Sequence, residues 1–316
     1  MSIHVNVDNF VRAETDRMFG DIQQQAGGIN QFRHNREPAS IEEQTVIRMN
    51  RDTLYSFAIV NVTAGATLTL PDAGDRYLSA MVVNNDHLVT AIHHEPGSHL
   101  LDEASVGTTF ALVAVRTLVD PAEPTDIAAV GALQDRIAID VTAPQAFQRP
   151  DYDLASLDTT RDHLLGLALG LRDFDRMFGT REHVDPVHHL LGTAAGWGGL
   201  PTTEAAYVGV DPGEVSGDYQ LTLTDVPVDA FWSISVYNAR GFFEKNSYDR
   251  YTVNSVTAIP DSDGSVTVRF VAGEPTSPNS IPVPPGWNYL VRLYRPRPSF
   301  FDRSWRLPAA EPVPAS

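Results

Sequence analysis

The sequence predicts a mainly β protein with helices: two jelly-roll-like antiparallel β-sandwich domains bridged by a central helical segment. Three observations carry this expectation. Short runs that alternate apolar and polar residues recur in both halves of the chain, punctuated by 22 glycines and 22 prolines. Between the two strand-rich parts, Leu164, Ala168, Leu171, Phe174 and Phe178 recur at helical spacing. At 316 residues the chain is long enough for two domains, each with its own core.

Taken in order, residues 8–26 read as a helix, with Asp8 as cap, Phe10, Val11, Met18 and Ile22 on one side, and Gly27-Gly28 as stop. Ala66–Leu70, Arg76–Val83 and Thr109–Val115 read as strands, and Pro121-Ala-Glu-Pro124 opens a helix. Asp185-Pro186 is a cap followed by a first-turn proline. Tyr219–Thr224, Phe231–Tyr237, Ser265–Phe270 and Tyr289–Tyr294 alternate again. The expected organisation is an N-terminal helix (1–30), a β domain (31–150), a helical linker (151–200), a second β-sandwich (201–306) and a tail (307–316). Apolar residues off the stripe, Leu165, Leu167 and Leu169, predict a central helix that touches both β domains.

Composition removes several function classes. The formal charge is −17, from 23 basic against 40 acidic residues, and Lys245 is the only lysine. Such a chain repels phosphate backbones and anionic membranes, so neither nucleic acid nor membrane is expected as partner. Arginine in place of lysine fits a GC-rich, bacterial-type genome. With no cysteine there are no disulfides, no thiolate nucleophile and no cysteine-ligated metal. No apolar run reaches the roughly 20 residues of a spanning helix. The expected location is the cytoplasm, or an exported compartment with the signal sequence removed.

The densest chemistry lies at Arg48, Asn50, Arg51, Asp52, Thr53 and Tyr55, followed by the apolar Phe57–Val60. One reading is a substrate site: Arg51 holds an anionic or carbonyl oxygen, Asp52 acts as base, and Asn50 and Tyr55 bind substrate. The other is a hydrogen-bond knot in which Asp52 and Thr53 satisfy local backbone. Asn84, Asn85, Asp86 and His87 follow an apolar strand. There His87 suits acid–base work near neutral pH, with Asp86 as the candidate if the register slips by one residue; a turn rich in Asn and Asp is the plain alternative. His93, His94, Glu95 and His99 suggest a metal, but two adjacent histidines followed by Pro96-Gly97 make a poor ligand set, and no metal or organic cofactor is expected. His188 and His189 point about 100° apart on a helix, which suits a helix contact better than a shared ligand. In the aromatic stretch from Trp232, most rings belong to a core, while Tyr237 and Tyr251 are candidates to line a ligand cleft. Neither a Gly-x-Ser-x-Gly elbow nor a phosphate-cradling or dinucleotide fingerprint is present.

The segment Gln44–Ser56, with Leu70–Tyr77 and Val83–His87, resembles the domain-of-unknown-function family 1254. Pro227–Tyr237, Asn246–Tyr251, Asp263–Thr267 and Gly286–Pro296 resemble the companion family 1214. The resemblance implies two β-rich, jelly-roll-like domains joined by helices, and implies no reaction.

Three functions remain open. The first is a small-molecule enzyme of hydrolase or lyase/isomerase type, with Arg51 orienting a small polar substrate and Asp52 or His87 moving the proton. The second is a non-catalytic binding protein for a carbohydrate or other polar ligand. The third is a structural, homo-oligomeric β-sandwich protein. For the enzyme, Arg51 or Asp52 is expected close to His87.

Overall fold

The computed structural model of the chain describes residues 2–44, 47–143, 145–171, 174–213 and 217–313. Its sheets are open and mainly antiparallel, and six helices accompany them among the described residues, as a mainly β chain with helices requires. The chain divides into two compact units that interleave along the sequence. The first comprises Met1–Arg36, Leu54–Leu118 and Ala128–Thr202; the second comprises Glu37–Thr53, Val119–Ile127 and Thr203–Ser316. These units do not follow the linear boundaries read from the sequence. The helical stretch 151–200 falls inside the first unit, and 37–53, which carries most of the polar motif, falls inside the second.

The first unit contains α1 (Phe10–Gln25), β1 (Arg33–His34), β2 (Thr53–Asn61), β3 (Ala66–Leu70), β4 (Leu78–Asn84), β5 (Val89–His93), β6 (Gly97–Leu101), α2 (Glu103–Val106), β7 (Phe110–Leu118), α3 (Pro124–Gln134), β8 (Ala138–Val141), α4 (Leu154–Ala168) and α5 (Pro186–Gly196), with short ends of β2 and α3 in the second. A five-stranded sheet, β1-β2-β7-β4-β5, packs on a three-stranded one, β6-β3-β8. Ala58, Val60, Leu68, Leu70, Ala80, Val82, Val113 and Val115 fill the space between them. The strand β4 is buried on both faces: Leu78, Ala80 and Val82 point into the sandwich, while Met81 and Val83 are equally buried on the other side. That is why its sequence is a continuous apolar run, whereas β3, on the outer sheet, alternates. Helices α1, α4 and α5 bury Phe10, Ala13, Leu157, Leu164 and Leu191 together. Asp185 caps α5 as expected, accepting from the N–H groups of Val187 and His188. Asp8 does not cap α1; that position is Asn9.

The expected central helix is shorter than its apolar stripe. Asp153 caps α4 by accepting from Ala155 N–H, and the helix ends at Ala168. Gly170 follows with φ +84°, a conformation that stops helical propagation. Leu164 is buried against α1 and α5, but Leu167 and Leu169 are 70% and 83% exposed and Leu171 is 39% exposed. Leucine-rich composition extended the helical period past the point where the backbone abandons it. The apolar residues that motivated the expectation of a two-sided helix, Leu165, Leu167 and Leu169, are exposed.

The second unit contains β9 (Ala205–Val210), β10 (Tyr219–Leu223), β11 (Trp232–Tyr237), β12 (Thr252–Asn254), β13 (Val266–Val271), β14 (Ser280–Pro282), β15 (Asn288–Tyr294), α6 (Pro298–Phe301) and β16 (Glu311–Pro312). The sheet β12-β11-β15-β9 packs on β14-β13-β10-β16 over a core of Leu221, Trp232, Ile234, Val236, Val268, Phe270, Tyr289, Val291 and Leu293. Part of the tail is an edge strand: Glu311 and Pro312 pair with Gln220 and Tyr219.

Three substitutions test this architecture. Ile234→Asp places an unpaired carboxylate in a closed core and is expected to abolish the cooperative urea transition of the second unit. In the first unit, Leu157→Ala should cost about 2–5 kcal/mol in urea unfolding, while Leu167→Ala should stay within about 0.5 kcal/mol. Equal losses at the two leucines would contradict the placement of α4.

Candidate functional site

Alternation along β11 sends Trp232, Ile234 and Val236 into the sandwich and Ser233, Ser235 and Tyr237 to the opposite face. Across the ladder, Ser233 lies opposite Arg292 of β15 and Asn254 of β12, and Ser235 lies opposite Thr252. This second face is also buried, so its polar groups need partners from outside the sheet. Residues 48–53 supply several of them, while Ser235 pairs within the sheet and Ser233 Oγ has no hydrogen-bond partner among the described residues. The fully buried Arg292 donates to the carbonyls of Arg48 (2.8 Å) and Met49 (3.2 Å), to Ser235 Oγ (2.8 Å) and to the Tyr237 hydroxyl (2.7 Å). Tyr237 in turn donates to the Met49 carbonyl at 2.8 Å. Asn50 donates to the Tyr294 hydroxyl at 2.9 Å and accepts from the Asp52 N–H at 2.8 Å. Asp52 is 0% exposed; its Oδ1 accepts from Thr252 Oγ1 (3.1 Å) and Asn254 Nδ2 (3.4 Å), and its Oδ2 has no hydrogen-bond partner among the described residues. Burial works against the charge on Arg292, but Tyr237, Tyr294 and Asp52 outweigh it and hold the guanidinium above its ordinary pKa. Burial likewise raises the Tyr237 hydroxyl, against the opposing pull of Arg292.

Beside this knot lies a cleft of about 200 Å³ whose lining includes Arg51, Tyr251, Thr252 and Asn254. Arg51 is 9% exposed and lies over the Tyr251 ring, 5.4 Å from its centroid. Its guanidinium donates to the Ala39 carbonyl, the one hydrogen bond it makes among the described residues. Burial lowers its pKa, opposed by Asp249, Tyr251 and Asp52, yet a guanidinium stays protonated throughout the physiological range. A guanidinium carries five N–H donors, so most of Arg51's remain available. In the cleft lining the Thr252 hydroxyl spends its proton on Asp52 and accepts from Ser235 Oγ at 3.4 Å, which leaves one acceptor lone pair on Thr252 Oγ1. The Asn254 amide is fixed too: its nitrogen points to Asp52 and its oxygen accepts from the N–H groups of Val256 and Thr257.

Not all the expected site residues converge here. Asn50, Arg51, Asp52, Tyr237 and Tyr251 belong to the second unit, and Tyr55, Asp86 and His87 belong to the first. The Tyr237 phenol is 0% exposed and committed to Arg292 and Met49, so it braces the knot. Tyr55 stacks on Phe57 at 5.5 Å and faces the Arg116 guanidinium. Asp86 is a half-exposed carboxylate paired with Arg12 and, at 3.5 Å, Arg181. The role expected for His87 is corrected. It occupies a left-handed turn position (φ +59°) between β4 and β5, which directs the ring inward, where it is 2% exposed. Thr193 Oγ1 gives its proton to the His189 carbonyl, so His87 Nδ1 is the donor in their 2.8 Å contact, and His87 Nε2 accepts from Gly198 N–H at 2.8 Å. The ring is sandwiched by Trp197 and His189 at 5.3 and 5.4 Å. Burial, and then the neighbouring His189, push its pKa well below the ordinary range. A neutral imidazole with both nitrogens engaged is a packing element. Among the described residues no three His, Asp or Glu side chains group as metal ligands; His93 stacks on His99 at 4.2 Å.

Residues 29–141 match the family model DUF1254 and residues 210–298 match DUF1214, each described as a protein of unknown function, in the order the motifs led us to expect. The chain therefore joins a DUF1254 region to a DUF1214 region. It is similar in fold to the crystal structure of the VPA0106 protein from Vibrio parahaemolyticus, with a TM-score of 0.73 and 19% identity over 98% of this chain and 100% of that one. A second similar structure is an uncharacterised protein from Burkholderia cenocepacia, with a TM-score of 0.52 and 14% identity over 90% of this chain and 84% of that one. No curated protein matches the chain.

Sequence reasoning missed Thr252, Asn254, Asp120, Asp249 and Arg250 in the cleft lining. One signal was available: Thr252 and Asn254 flank Val253 in a short alternating strand next to the charged pair Asp249-Arg250.

Two outcomes are expected. Asp52→Asn removes the carboxylate that accepts from Thr252 and Asn254 and acts through space on the buried Arg292, and should cost about 1–3 kcal/mol in denaturant unfolding. The first unit should lose stability as pH falls below about 6.5, where an unfolded histidine takes up a proton that folded His87 refuses. That contribution is complete above the unfolded pKa and shrinks as pH drops towards the depressed folded one. Replacing His87 with Gln should flatten this limb of the stability–pH curve; an unchanged slope would assign it to other groups.

Proposed function

We propose that the second unit binds a small polar molecule in the cleft beside the Asp52–Arg292 knot, with Arg51 as the anchor for a negatively charged or carbonyl oxygen. The observation that carries this reading is Arg51 itself. It is a largely buried guanidinium with one backbone acceptor, backed by an aromatic face and lining a cleft. Burying an arginine this far without a salt bridge is costly unless something else meets its donors. The knot beneath holds the floor rigid, because Thr252 and Asn254 are both fastened to Asp52. A preorganised floor lowers the ordering cost of binding.

An acid–base enzyme would need a proton acceptor at the same place. His87 lies in the other unit with both ring nitrogens engaged, so that reading rests on carboxylates alone, Asp52 or the cleft-lining Asp120 and Asp249. Binding without turnover requires less of the residues present.

A thermal-shift screen of the full chain against small sugars, carboxylates, amines and amino acids tests the proposal. A genuine ligand at about 100 times its Kd should stabilise the fold by roughly 2.7 kcal/mol. Arg51→Gln should remove that stabilisation and Arg51→Lys should retain part of it. If no compound stabilises the protein, or if Arg51→Gln responds as the parent does, the cleft is not a binding site of this kind.

A further inference from the structure

We infer that the cleft's occupant is a zwitterion of amino-acid size, carrying one cationic and one anionic group a few ångströms apart. This deepens the binding role proposed above and rests on it. Four ionised side chains line the cleft: the guanidiniums of Arg51 and Arg250 and the carboxylates of Asp120 and Asp249. Among the described residues none of the four is in a salt bridge, although ion pairs within 4.0 Å are common elsewhere in the chain. Asp249 acts on Arg51 only through space. Arg250 gives one bond to the Ser277 carbonyl (2.9 Å), and Asp120 Oδ1 accepts from the Ala122 N–H (2.9 Å), so each is oriented without an ion-pair partner, and Arg250 and Asp249 are exposed to solvent.

A lining of this kind discriminates by charge pattern. Its formal charges cancel, so a simple anion gains at the guanidiniums and loses at the carboxylates, and a simple cation does the reverse. A neutral polar molecule gains hydrogen bonds there but no charge pairing. A ligand with both signs pairs with both sets, while the carboxylates repel an anion-only analogue and the guanidiniums repel a cation-only one. The floor adds acceptor capacity at Thr252 Oγ1 for an ammonium N–H, and Tyr251 and Val253 add apolar surface for a short side chain. Size agrees with this class. A volume of about 200 Å³ is below the roughly 300–1,000 Å³ of drug-sized pockets. At a liquid share of about 30 Å³ per water, it holds on the order of six or seven waters, room for a small amino acid with a few bound waters beside it.

Isothermal titration calorimetry of the full chain at neutral pH reads the inference directly. The probes are glycine, alanine, serine and proline, with N-acetylalanine as the anion-only and alanine methyl ester as the cation-only analogue. At least one free amino acid should bind, and blocking either charge should weaken binding at least tenfold. Asp120→Asn or Asp249→Asn should erase most of the discrimination against N-acetylalanine, while Arg51→Gln should weaken the free amino acid and the N-acetyl compound alike. Circular dichroism identifies any variant that fails to fold, and the three substitutions then check one another. If N-acetylalanine binds as tightly as alanine, the zwitterion is overturned while the Arg51 cleft stands. If the amino acids fail and another small polar molecule binds in an Arg51-dependent way, the outcome is the same. If nothing in either the calorimetry or the thermal screen binds, both the ligand class and the cleft's role fall.

Discussion

The second unit is organised around a buried charge. Arg292 sits on a central strand, with both faces of its sheet closed to solvent. A guanidinium in that position must find acceptors for its donors and a counter-charge, or the unit cannot fold. Two main-chain carbonyls, a serine and a tyrosine provide the acceptors, and the Asp52 carboxylate acts on the charge through space, without a direct ion pair. All but Ser235 and Tyr237 come from residues 48–52, far away in sequence. The constraint therefore reaches across the chain: a segment of the N-terminal half becomes part of the C-terminal unit because its backbone and its carboxylate are what Arg292 lacks.

The cleft inherits its shape from that requirement. Asp52 takes a hydrogen bond from Thr252 and another from Asn254, and both residues face the cleft. Arg51, next in the chain, is carried into the lining by the same fastening of its neighbours and comes to rest over Tyr251. A structural knot and a binding surface thus share one segment. The two readings of the polar motif are answers for different residues: Asn50 and Asp52 belong to the knot, and Arg51 belongs to the cleft.

The first unit resolves its polar turn differently. A left-handed residue at position 87 turns the imidazole inward between Trp197 and His189, and the helical segment supplies a partner for each ring nitrogen. Strand periodicity carries no information about a residue outside the strand. Strand register made Asp86 the candidate only if the pairing slipped by one residue, but the backbone dihedral at the turn decided where each one went.

The sequence by itself determined the fold class, most of the strands, the capped start of α5 and the family of each half, since these depend on local period, turn residues and contiguous motifs. The doubly buried β4 was legible as an apolar run and the half-exposed β3 as an alternating one. Only the tertiary structure decided where α4 stops, because Leu167 and Leu169 satisfy a helical period that the backbone does not keep. It also decided which unit owns residues 37–53, and which of six neighbouring polar residues faces a cleft. Those outcomes depend on the partners of Arg292 and Asp52, which lie roughly 200 or more positions apart in the chain. Periodicity reports which face of its own element a residue occupies; the hydrogen-bond partner that a buried charge will find across the fold is set by packing that no local pattern encodes.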